Sequence, residues 1–166
     1  LPPVPASLKI AARGGVELDP VNLRDAAARA RLRYDVGVDP AARLQRLDAA
    51  MGLWLDDAPE IAAGDAAQWL ERSTIADAAS GRTRVLMHSV AWSYFPASVQ
   101  QRITDLMEAA GAVAGADAPL AWLSFELSKE GADLRLRLWP DGADRLLASG
   151  HPHGNAIHWL ESGGSA

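Results

Sequence analysis

The chain contains no cysteine among its 166 residues. Disulfides and thiolate metal sites are therefore excluded, and cysteine usage is silent on the redox compartment. No apolar run is long enough to span a bilayer, and no charged-then-apolar signal opens the sequence. With neither signal present, the expected compartment is the cytoplasm and a membrane is not an expected partner. A basic excess is missing too. The net charge is -5, whereas nucleic-acid backbones need a basic face, so nucleic acid is not an expected partner either. There is no internal repeat and no long linker. No serine sits in the glycine-flanked turn of a hydrolase nucleophile.

What is present suits an ordinary folded domain. Hydrophobic residues make up 49% of the chain, enough for one α/β domain over 1–161 with a real core and a flexible tail at 162–166. Leu8 to Leu18 carries a strand pattern that ends in the acids Glu17 and Asp19. Asn22 is a candidate cap for a short helix, with Asp25 in its first turn. Leu32 to Val38 reads as a strand or a connector. Asp39-Pro40 is a helix start, and Leu44, Leu47, Met51 and Leu55 then form one apolar stripe. Glu60 to Ala63 is a short strand, and Gly64-Asp65 precedes a helix over Ala66 to Arg72.

Arg84 to Trp92 is apolar on both faces, the mark of a central parallel strand with helices on each side. Pro96 opens a helix with Val99, Ile103, Leu106 and Ala110 on its buried stripe, and Gly111 is placed to cap it. Pro119 to Leu127 is another apolar strand. Asp133 to Trp139 alternates strictly, so Leu134, Leu136 and Leu138 should share the buried face of an antiparallel strand, with Arg135 and Arg137 on the wet one. Pro140-Asp141-Gly142 is a turn, and Ala156 to Leu160 offers a last strand.

Strands alternating with helices predict a parallel sheet, and the ending predicts an antiparallel edge. This order resembles class I S-adenosylmethionine-dependent methyltransferases in three places. Gly15-Val16-Glu17-Leu18-Asp19-Pro20 resembles the end of their second strand, where an acid holds the ribose hydroxyls. Glu60-Ile61-Ala62-Ala63-Gly64-Asp65-Ala66 resembles the end of their third, where an aspartate reads the adenine amine. Val85 to Pro96 resembles their fourth strand and the loop facing the reacting methyl. The implied fold is a doubly wound, Rossmann-like mixed sheet of methyltransferase type, lacking its first strand and glycine loop. The chain also resembles the C-terminal part of a bacterial family known only as a domain of unknown function. Arg13 to Pro20, His88 to Tyr94, Pro119 to Leu123, Leu138-Trp139-Pro140 and His153-Gly154 carry that likeness. An upstream segment of the same protein, or a partner chain, is expected to complete the sheet between the strand ending at Glu17 and the strand from Val85.

The implied cofactor is S-adenosylmethionine, with Glu17, Asp19 and Asp65 as its candidate ligands. A carboxylate suits two ribose hydroxyls, because it accepts paired, charge-assisted hydrogen bonds. Asp19 before Pro20 also suits a helix N-cap, and Gly64-Asp65 caps the next helix by default. For Glu17 the ligand role comes first, for Asp19 the cap, and for Asp65 both stand. His88 and Tyr94 are the candidate catalytic residues. His88 and Ser89 point to opposite faces and cannot act as a nucleophile–base pair; a hydrogen-bonded core histidine is the simpler role for His88. Tyr94 and Trp92 lie in the loop after that strand, shaping an acceptor pocket or plugging the helix–sheet interface. His151, His153 and His158 lack a completing carboxylate or cysteine and read as structural. The six tryptophans are scattered and read as packing residues. The expected activity is methyl transfer to an acceptor that the sequence does not name, which rests on positioning and needs no acid–base triad. The alternative is a non-catalytic binding or scaffold domain that keeps the fold.

Overall fold

The computed structural model describes residues 7–36 and 41–160. They fall into two compact units, one ending at Asp65 and the other beginning at Ala66. The expected helix start at Asp39-Pro40 lies outside the described residues.

The first unit holds strand β1 (Gly14–Glu17), helix α1 (Ala26–Asp35), helix α2 (Ala41–Asp56) and strand β2 (Glu60–Ala63). β1 and β2 pair in parallel, Gly14 opposite Glu60 and Glu17 opposite Ala63. The segment expected as strand or connector at Leu32 to Val38 is helical as far as Asp35. Its Ala- and Arg-rich composition suits a helix but gives little apolar stripe to see. The cap also differs from expectation. Asp25, not Asn22, is the N-cap, accepting from the Ala27 N–H at 2.9 Å, while Asn22 Oδ1 takes the Arg24 N–H. Asp25→Ala should lower stability by about 1 kcal/mol, seen as an earlier urea midpoint.

The second unit is a helix-backed sheet. Its elements are α3 (Ala66–Arg72), β3 (Arg84–Ser89), α4 (Ala97–Ala112), β4 (Leu120–Ser128), β5 (Gly131–Trp139), β6 (Ala143–Gly150) and β7 (Ile157–Trp159). The strands lie in chain order, β3-β4-β5-β6-β7. β3 and β4 are parallel, and every later pairing is antiparallel. The fold is mixed α/β with an antiparallel C-terminal end, as expected, but the strands form two sheets instead of one doubly wound sheet. β6 is the strand the sequence did not reveal.

Helices α3 and α4 pack on one face of the five-stranded sheet. Ala67, Leu70, Ile103, Met107, Ala110, Leu120 and Trp139 form the core there, with Leu86, Trp92, Phe95 and Trp122 packed against it. Met107 and Leu120 are fully buried, each worth roughly 1.5–3 kcal/mol of apolar burial. The strand register assigns the faces. Leu86 pairs with Trp122 and Trp122 with Arg137, so Leu86, His88, Trp122, Glu126, Arg137 and Trp139 point toward the helices. Val85, Met87, Leu123, Phe125, Leu134, Leu136 and Leu138 point the other way.

Three expectations are corrected by this geometry. Among the described residues β3 is the edge strand of its sheet, and on the face away from α3 and α4 its Val85 and Met87 are 54% and 63% exposed. It stops at Ser89 because Val90 turns to a positive φ of 48°, which a β-branched residue adopts rarely. The three leucines of β5 do share one face of an antiparallel strand, but they are half-buried and Arg137 is on the helix side. There it pairs with Glu108 of α4 and stacks over the Trp139 ring at 4.7 Å; Arg135 pairs with Asp144. Gly111 is not a cap. Helix α4 runs on to Ala112, with Val113 as C-cap, and Gly111 is buried inside its last turn.

Candidate functional sites

The acidic edge of the first unit is built by parallel pairing. Glu17 ends β1 opposite Ala63, and the Gly64 N–H continues the ladder to the Glu17 carbonyl at 3.0 Å. Asp65 follows at once. Neighbouring strands lie about 4.8 Å apart and two residues reach about 7 Å, so the Glu17 and Asp65 backbones stand within roughly 12 Å. Both acids therefore lie at the same, carboxyl edge of the β1–β2 sheet, the end where open α/β sheets bind ligands. Glu17 shares its sheet face with Ile61, and both line a half-open recess of about 400 Å³ with Pro20, Asn22, Trp54 and Pro59. Glu17 Oε1 accepts from the Leu18 N–H at 2.9 Å. Trp54 gives the recess an aromatic wall, with the Arg24 guanidinium 5.9 Å from its ring centre.

Asp19 stands apart from this arrangement. The strand ends at Glu17, so the two acids do not share a continued strand face. Asp19 is exposed, does not line the recess, and no helix begins at Pro20, so it is not a helix cap.

In the second unit, His88 is enclosed. Its side chain is 13% exposed and lies 2.7 Å, through Nδ1, from Glu126 Oε1, itself on a side chain 18% exposed. The Trp122 indole N–H reaches His88 Nε2 at 2.9 Å. An indole N–H only donates, so Nε2 carries the lone pair and Nδ1 carries the proton that Glu126 accepts. The same Glu126 oxygen takes the Ala91 N–H at 3.1 Å. Trp92 stacks on the imidazole, centres 5.2 Å apart, and Trp122 meets it edge-on. Both ring nitrogens are thus used inside the fold. To act as a base on a substrate, His88 would have to release one of them.

Tyr94 is 76% exposed on the 3₁₀ turn Trp92–Tyr94, while Trp92 plugs the interface between helices and sheet. The sequence offered no hint of Glu126 and Trp122 as partners of His88. They are 38 and 34 residues away, and only the parallel β3–β4 register brings them close. His151 Nδ1 accepts the His153 N–H at 3.2 Å within a turn. Among the described residues, no helix is long and apolar enough to cross a membrane.

No curated protein and no solved structure matches the sequence. One family does, over residues 1–159. The chain belongs to that family, described as an uncharacterized protein conserved in bacteria (DUF2332).

Proposed function

We propose that the carboxyl edge of the β1–β2 sheet binds a nucleoside-containing cofactor, S-adenosylmethionine in the first instance, for methyl transfer. The convergence of Glu17 and Asp65 at one edge of two parallel strands carries this reading. Glu17 would accept the ribose hydroxyls, and Asp65 would accept from the adenine amine. The recess beside Glu17 supplies apolar and aromatic wall, and its volume of about 400 Å³ falls within the range of small-molecule sites. Asp19 is the weakest of the three proposed ligands, since it stays outside the recess.

A second reading is a binding or scaffold domain without catalysis. It is favoured by the closure of His88, which leaves Tyr94 as the remaining candidate for orienting an acceptor. Calorimetric titration of the full-length protein with S-adenosylmethionine and its demethylated product separates the two from a domain that binds neither. Glu17→Gln should weaken binding by roughly 1–3 kcal/mol, the loss of a charged acceptor. An unchanged affinity in that variant would leave Glu17 with a packing role only.

A further inference from the structure

The recess beside Glu17 has more wall than a pair of hydroxyls can use. Glu17 ends β1, whereas Pro59 precedes β2, and the parallel register puts these two positions at opposite ends of the strand pair. The strands are about 10 Å long between them, so the recess runs back along the sheet face from the carboxyl edge. Trp54, from the last turn of α2, and the Pro20 and Pro59 rings give it flat apolar walls.

Charge sorts what can lie there. Among the described residues that line the recess, Glu17 alone is ionisable. It repels a carboxylate on a ligand and leaves an uncharged flat ring unopposed. The Arg24 guanidinium, itself a flat group, lies over the Trp54 ring with 5.9 Å to its centre. Among the described residues Arg24 has no ion pair, so the ring face is the partner of its head group. Trp54 differs in this from Trp92 and Trp122, whose rings meet His88 inside the fold.

We infer, on the nucleoside reading of this edge, that Trp54 is the base-stacking residue of the site. The purine ring lies against the indole inside the recess. The methionine end of S-adenosylmethionine, which carries a carboxylate, points out of the recess and away from Glu17. Stacking suits this division, because every base offers a π-face to an aromatic side chain.

The test is fluorescence and calorimetric titration of the full-length protein with S-adenosylmethionine, adenosine and methionine. Adenosine should bind within about tenfold of S-adenosylmethionine, and methionine should not bind. Adenosine should quench tryptophan emission in the native protein and less in Trp54→Phe. That variant keeps a stacking ring, so its affinity should stay within about threefold. Trp54→Leu, checked for a native far-UV spectrum, should weaken both nucleosides about tenfold or more. Should Trp54→Leu not fold, the quench difference in Trp54→Phe decides alone. Arg24→Gln should not weaken binding; a loss equal to that of Trp54→Leu would give the role to a charge and overturn the inference. S-adenosylmethionine binding without adenosine binding, or an unchanged affinity in Trp54→Leu, overturns it and leaves the cofactor reading standing. Adenosine binding that depends on Trp54, without S-adenosylmethionine binding, keeps the stacking role and overturns that cofactor. Binding of neither overturns both.

Discussion

His88→Ala should lower stability by about 3 kcal/mol, because it leaves enclosed hydrogen-bonding groups without partners, at about 1–3 kcal/mol each. That corresponds to a melting point lower by roughly 10 °C. Three losses coincide in this variant. Glu126 Oε1 keeps only the Ala91 N–H, while Glu126 Oε2 is buried with no hydrogen-bond partner among the described residues even in the intact protein. The Trp122 indole N–H loses its acceptor. The face of Trp92 that stacked on the imidazole borders a cavity. A loss below about 1 kcal/mol would refute the enclosed geometry. Glu126→Ala alone should also destabilise, but the double variant should lose less than the sum, because the two side chains act as a unit. A catalytic histidine would show the opposite pattern, with activity falling while stability held.

The sequence conveyed elements better than their surroundings. Leu120 to Ser128 and Gly131 to Trp139 are strands because their patterns are strong and local. β6 escaped because Leu147 is an extra residue on that strand: Leu134 faces Ala148, yet Arg135 faces Leu146. A bulge flips the alternation halfway along and erases the two-residue period. The sequence marks β3 as central because it is apolar on both sides. What the pattern could not tell was whether the second side is covered within these residues. The acidic edge was legible because parallel strands end together and acids there are conspicuous. The His88 cluster was not, because its partners sit on the neighbouring strand and no local spacing connects them. The alternation that groups the leucines on one face also puts Arg137 on the opposite one, which is the face the helices cover. Periodicity separates two faces but does not say which one the helices cover, and a guanidinium can lie over an indole while it meets a carboxylate.

Gly111 gives the second large effect, and it depends on position alone. Gly111→Ala should destabilise by about 1–2 kcal/mol net, although alanine is the better helix former by about 1 kcal/mol. Gly111 sits in the last turn of α4 directly against Trp139, which is 5% exposed. A Cβ there would fall on Nε1, Cδ1 and Cε2 of the indole at separations under 3.0 Å. The ring is held by Arg137 above it and by the core around it, so the helix must move off the sheet. Overpacking of this kind costs about 1–3 kcal/mol, occasionally more, and outweighs the gain in propensity. Gly52 in α2 is the internal control. A Cβ there meets nothing within 4 Å, and Gly52→Ala should stabilise by about 0.5–1 kcal/mol. Urea unfolding of the two variants should therefore move the midpoint in opposite directions. A gain at Gly111 equal to that at Gly52 would show that α4 does not rest on Trp139.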